Sequence, residues 1–170
     1  MDAESLRELQ APLKRRYRED PGAALISLKA EGSLDDANIA CKVETGRALV
    51  TAGLHPATGG SGHEACSGDM LLEALVACAG VTLKAVATAI GVELQSARLK
   101  AEGDLDFRGT LGVDREASVG FRNIHLSVQV VSDAPEEKLD QLLKLTERYC
   151  VVLQTLRQPA EFSASLVRAE

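Results

Sequence analysis

The strongest hydrophobic signal in this chain of 170 residues is a run from Cys66 to Gly91. Its positions are apolar on almost every side of a helical projection, interrupted by Glu73, Lys84 and small residues. Ser67 offers a side-chain oxygen to free backbone N–H groups, Asp69 puts negative charge in the first turn, and Gly91 is the usual residue for a left-handed stop. A helix apolar all round predicts a central, buried element. Cys78 lies in its middle, on the side of Leu71, Leu75 and Thr82 by three- and four-residue spacing.

The pattern before it changes period twice. Leu6, Leu9 and Leu13 at helical spacing predict a helix over residues 4–18, stopped by Asp20-Pro21-Gly22. Residues 23–54 then read as antiparallel strands: 25–30, a turn at 33–36, an alternating strand at 39–44, a turn at Thr45-Gly46 and a third strand from Arg47 to Leu54. Cys41 shares the parity of Ile39 and Val43, which predicts a small apolar side chain facing the core. Residues 55–66 form a glycine-rich loop feeding the long helix.

Beyond Gly91, residues 92–106 and 118–131 read as strands around a turn or lobe at 108–115. Ile124, Leu126, Val128 and Val130 alternate, leaving His125 on the exposed parity. Asp133-Ala-Pro-Glu136 is a capping-box variant that opens a helix to about Arg157. Leu139, Leu142, Leu143, Thr146, Tyr149, Cys150, Leu153 and Leu156 repeat along its apolar stripe. Pro159 ends it, and residues 161–168 alternate as a closing strand. The order predicts an α+β domain of antiparallel sheet with helices on one face. Residues 1–22 form a helical extension, and residues 23–170 form one domain.

Composition narrows the function classes. A formal net charge of -6 argues against a nucleic-acid partner, which favours a basic footprint. The cluster Lys14, Arg15, Arg16 and Arg18 is diluted by Glu19 and Asp20 and reads as a solvated helix face. The first twenty residues hold no apolar run of the signal-peptide kind, and Glu73 and Lys84 make the long helix an expensive membrane span. A soluble, cytoplasmic protein with no membrane partner is expected. In a reducing compartment its four cysteines are more often catalytic or metal-binding than structural.

Two chemistries deserve weighing. His55, His63, Cys66 and Asp69 could supply half a metal site, but no CxxC or HxxxH completes it, so no metal is expected. Cys66 and Cys78 are twelve positions apart, about 18 Å along a helix, which keeps them from bridging without unwinding. Cys78 and Cys150 lie instead on apolar faces of the two longest helices, and simple packing brings those faces together. From spacing alone, inert core cysteines are the favoured reading.

The run Ser-Gly-Asp-Met-Leu-Leu-Glu-Ala-Leu-Val-Ala-Cys78, with Tyr149-Cys150 on a second helix and Gly59-Gly60 ahead of the first, resembles the OsmC/Ohr family. That resemblance covers roughly residues 23–168. It implies an OsmC-like fold, antiparallel sheets wrapped around two central helices, in a homodimer with its site at the subunit interface. It further implies a peroxidase for organic hydroperoxides, with Cys78 as the attacking thiolate and Cys150 as the resolving thiol. An external dithiol would be the reductant, and no cofactor is implied. The family activates its thiolate with an Arg–Glu pair; Asp69 is the stand-in for the Glu, and Arg18 and Arg47 are the arginine candidates. Val151 follows the second cysteine where the family often has proline. The alternative is a non-catalytic dimer binding a small apolar or anionic ligand at the same interface.

Overall fold

The structure, a computed structural model, describes residues 2–19, 31–34, 40–44, 49–112 and 114–168. Helix α1 (Ala3–Glu19) opens the chain, as the leucine spacing predicts. Strands β1 (Glu31–Leu34), β2 (Ala40–Glu44) and β3 (Leu49–Gly53) pair antiparallel in sequence order, with Leu34 opposite Cys41 and Val43 opposite Val50. Ser33 and Leu34, expected to begin a turn at 33–36, belong instead to β1 and pair with Lys42 and Cys41 of β2, while residues 35 and 36 lie outside the described residues. The strand expected at 25–30, the turn at Thr45-Gly46 and the Asp20-Pro21-Gly22 stop lie outside the described residues, as does Arg47.

The sheet is not wholly antiparallel. Strand β4 (Ala65–Cys66) returns parallel to β3, with Ala52 opposite Ala65 and Gly53 opposite Cys66. Between them the glycine-rich loop makes a 3-10 turn at Pro56–Thr58 and folds back on itself. Gly60 is required there: a Cβ on it would lie 1.7 Å from the Leu54 carbonyl oxygen.

Pairing of β4 decides where the central helix begins. Cys66 is held extended (φ -83, ψ 131), so α2 (Ser67–Ile90) starts on the next residue, and Ser67 sits inside the first turn instead of capping it. At the other end Gly91 adopts φ +71 and its N–H reaches the carbonyls of Ala87 and Thr88, as expected of a left-handed stop.

The chain returns through β5 (Ser96–Asp104) and β6 (Asn123–Val131), an antiparallel pair with Leu99 opposite Val128. The lobe between them contains a one-turn helix α3 (Phe107–Thr110) and is tied by charge. Asp106 pairs with Arg108 at 2.6 Å and faces Arg122 at 3.8 Å, while Arg108 also reaches Asp114 at 3.2 Å. The hydrogen bonds from the Arg108 side chain, then its backbone N–H, hold the Asp106 carboxyl down to about 2. Phe107 stacks on His55, centroids 4.9 Å apart, which joins the lobe to the glycine-rich loop.

The second long helix is two helices. α4 (Glu136–Tyr149) and α5 (Val151–Arg157) meet at Cys150, whose extended backbone (φ -73, ψ 107) breaks the run. Pro135 occupies the N-cap position of α4, and the Asp133 carboxylate accepts from Gln95 instead of capping. Residues 161–168 form no strand, and Phe162 and Leu166 are 97% and 93% exposed. Their alternation is of the right kind, but a strand needs an edge to pair with, and none of the described strands pairs with this segment.

The core has two cores' worth of contacts along α2. Leu75 and Ala79 pack with Cys150 and Leu153; Leu83 and Ala87 pack with Val92 and Leu142. Only this stripe of α2 is buried, so the expectation of burial on every side fails for the single chain. Replacement Gly60→Ala should destabilise the protein by about 1–3 kcal/mol, because the loop must move off the Leu54 carbonyl. Thermal or urea unfolding of the variant would read this directly, and an unchanged midpoint would contradict the close approach.

Candidate active site

Packing of α2 against α4 and α5 brings Cys78 and Cys150 into one cluster with Leu75, Ala79, Val152 and Leu153. Cys150 is wholly buried and Cys78 half-buried; both are free thiols, as is Cys66. Cys66 stays at the start of α2, near Leu105 and Phe121, where a Cβ on Gly68 would come within 3.6 Å of its sulfur. The structure thus brings the second and fourth helices' cysteines together and leaves Cys66 out.

The helix break determines the electrostatics. In a continuous helix the N–H of Val151 would bond the Glu147 carbonyl, and that of Val152 the Arg148 carbonyl. With the backbone extended at Cys150, neither amide has a backbone carbonyl partner among the described residues. Both act on Cys78 instead. Burial raises the Cys78 thiol, but hydrogen bonding from the Val152 N–H, the Cys150 thiol and the Val151 N–H outweighs it, and its pKa falls below the ordinary thiol value. Thr82 adds least, since its single hydroxyl proton is donated to the Cys78 carbonyl at 2.8 Å.

Cys150 moves the opposite way. Burial raises it first, and both the hydrogen bond to Cys78 and the negative charge there raise it further. One thiol is therefore readied as a thiolate and its neighbour is kept protonated as a donor to it. Such a pair can attack an electrophile at Cys78 and then close a disulfide.

Asp69 is not part of this arrangement. Nine residues before Cys78, it lies roughly half a turn around the helix and about 13 Å along it. Its side chain is exposed, beside Leu72, Glu73 and Val76 on a shallow groove of α2. Arg18 falls in the last turn of α1 with its side chain outside the described residues, and Arg47 lies outside them altogether. Cys41 belongs to β2, with its side chain likewise outside. The histidines serve the loop or stand on the surface: His55 Nδ1 accepts from the Ala57 N–H at 3.0 Å, and His63 and His125 are exposed. Among the described residues no cluster of three metal-ligating groups forms.

The backbone donors were not anticipated from sequence. Val151 stands where a proline would have no N–H to give, and its amide is among the groups that lower the Cys78 thiol.

The OsmC-like protein family model matches residues 60–165, more than half of the chain and all of this site. The chain belongs to the OsmC-like family. Among solved structures it is similar to an OsmC-like protein from Mycoplasma pneumoniae (17% identity, 79% of this chain and 89% of that one, TM-score 0.65). It is also similar to the organic hydroperoxide resistance protein OsmC from Legionella pneumophila (15% identity, 79% and 91%, TM-score 0.61). A third is the organic hydroperoxide resistance protein from Elizabethkingia anophelis (14% identity, 79% and 91%, TM-score 0.63). No curated protein sequence matches this one. The mixed helix and strand fold, with an added N-terminal helix, is that of the OsmC-like structures.

Replacing Val151 by proline tests the backbone donor without disturbing the helix, since proline is favoured at the first helical position and Cys150 is already extended. In Val151→Pro the pH midpoint of Cys78 alkylation should move up, read by peptide mass spectrometry after iodoacetamide pulses. An unmoved midpoint would remove this amide from the account.

Proposed function

We propose that this OsmC-like protein is a thiol-dependent peroxidase that reduces organic hydroperoxides. The observation that carries this reading is the packing of two free thiols, Cys78 and Cys150, in one apolar cluster, and the opposed directions of their shifts support it. The family membership and the names of the Legionella and Elizabethkingia structures support the same direction.

The Cys78 thiolate attacks the terminal oxygen of ROOH. The O–O bond breaks, an S–O bond forms, and RO⁻ leaves to be protonated to the alcohol, giving the Cys78 sulfenic acid. Loss of the negative charge then removes two of the three influences that hold Cys150 up, leaving only its burial. Cys150 ionises more readily at that moment, attacks the sulfenic sulfur, and closes a disulfide as water leaves. An external dithiol returns both thiols through thiol–disulfide exchange. The scheme uses no resident cofactor, and a cytoplasmic dithiol is the proposed electron source.

A homodimer belongs to the same proposal. Leu71, Ala74, Cys78, Val81 and Ala85 follow a three-four spacing on the unburied side of α2, and Val81 is 74% exposed. Tyr149 and Val151, either side of Cys150, are exposed, and the exposed arm at 161–168 pairs with none of the described strands. A second copy would cover both.

The alternative of ligand binding draws on a different feature. A cavity of about 590 Å³ has Leu75, Leu126, Leu143 and Leu153 on its walls and Arg122 and Arg157 beside them. It has the size of a small-molecule pocket and suits an apolar or anionic ligand. Cys78 does not line it, so this reading leaves the thiol pair without a task.

Consumption of cumene hydroperoxide with a dithiol reductant should be lost in Cys78→Ser by at least about a hundredfold, a general loss expected for a missing nucleophile. Equal rates in both proteins would exclude the peroxidase. Light scattering should return twice the single-chain mass; a single-chain mass would contradict the dimer.

A further inference from the structure

We propose that the cavity between β6 and the α4–α5 joint is a second binding site, whose ligand is a carboxylate on a single alkyl chain. The head lies between Arg122 and Arg157, and the tail runs along β6 toward Val128. The inference deepens the ligand-binding reading by fixing the ligand's class and direction. It does not depend on the thiol chemistry, because Cys78 does not line the cavity.

The order of residues along β6 sets the direction. Ile124 and Leu126, early in the strand, pack against the cluster that holds Leu75 and Leu153. Val128 and Val130, later in it, pack against the cluster that holds Leu83 and Leu142. Arg122, just before β6, therefore stands at the α5 end of the cavity, and Arg157, the last residue of α5, lines it as well. At the other end the walls are Val128 and Leu143. Positive charge is gathered at one mouth, and the far end is apolar.

The inner wall calls for no polar group on the ligand. Thr146, its buried polar residue, donates its hydroxyl proton to the Leu142 carbonyl at 2.8 Å. Among the described residues, no buried side-chain nitrogen or oxygen lacks a hydrogen-bond partner. Leu143 and Leu156 on these walls are 44% and 36% exposed, apolar surface that an alkyl chain covers and a sugar does not. A volume of about 590 Å³ far exceeds what one water needs and lies in the range of small-molecule pockets.

The mouth suits an anion. Arg122 lies 3.8 Å from Asp106, beyond hydrogen-bond distance, and Asp106 is already held by Arg108 at 2.6 Å. Arg157 reaches Glu147 at 3.3 Å through one nitrogen of a guanidinium that has further donors to give. Glu147 also borders the cavity, so it competes with an incoming carboxylate for Arg157. Two guanidinium forks at one end select a carboxylate head and orient it.

The test is isothermal titration calorimetry on the full-length protein at pH 7 with sodium octanoate, 1-octanol and sodium acetate. Octanoate should bind once per chain. 1-Octanol, with the same tail and no charge, should bind at least about tenfold more weakly, and acetate, a head without a tail, should give no heat of binding. Arg122→Gln and Arg157→Gln should each weaken octanoate by about tenfold; both side chains are more than half exposed, so these variants should fold. Leu143→Trp, which fills the apolar end from a partly exposed position, should weaken octanoate and 1-octanol alike. Glu147→Gln removes the competing carboxylate and should tighten octanoate by about threefold.

No binding, equal affinities for octanoate and 1-octanol, or an octanoate affinity unmoved in either arginine variant or in Leu143→Trp overturns the proposal. So does weaker octanoate binding in Glu147→Gln, which would make the Arg157–Glu147 pair a structural tie alone. The titration uses no peroxide and no dithiol. A protein inactive toward hydroperoxides can still bind octanoate, and an active one can fail to, so this inference and the peroxidase fail separately.

Discussion

The interruption of one helix at Cys150 is the feature on which the rest depends. A helix that ran on from Glu136 to Arg157 would consume the amides of Val151 and Val152 in its own ladder and turn nothing toward α2. The extended backbone at Cys150 frees them, and the packing of Leu75 and Ala79 against Leu153 puts Cys78 in front of them. Hydrophobic burial supplies the placement, and unconsumed backbone polarity supplies the chemistry. Among the described residues, the groups that lower Cys78 are neutral donors.

This arrangement gives the two thiols a built-in order. Burial first, then the hydrogen bond and charge at Cys78, raise the Cys150 thiol, so under the proposed chemistry oxidation of Cys78 would lift part of that restraint. Both features follow from adjacency and burial, and neither needs a moving part. The remaining apolar surface of α2, with Cys78 in its line, and the exposed segment after Pro159 are the surfaces on which the proposed dimer rests. The charged lobe around Asp106 and the His55–Phe107 stack meanwhile hold the glycine-rich approach to α2 in place.

Much of this is legible in the sequence. The long helix, its left-handed stop at Gly91, the alternation of β6 and the meeting of Cys78 with Cys150 all follow from apolar periodicity, which long elements carry most clearly. The break at Cys150 does not, because no glycine or proline marks it. The one local hint is the β-branched pair Val151-Val152, which prefers a helix less than its neighbours do. The separation of Asp69 from Cys78 within one chain is countable in advance: nine residues along a helix lead to its far side. The Gln154 side-chain bond to the Glu147 carbonyl carried no signal at all, since a bond across seven residues exists only once the helix is broken. The parallel return of β4 was equally hidden, a two-residue strand being too short to show a period.

The central claim is that Cys78 and Cys150 form one redox pair in which Cys78 is struck first. Its most direct measurement is non-reducing peptide mapping after one equivalent of cumene hydroperoxide is added to the fully reduced protein. The account predicts a linked pair of peptides carrying Cys78 and Cys150, with Cys66 still free. A Cys78 that stays reduced, or that is found joined to Cys66 with Cys150 untouched, would contradict it.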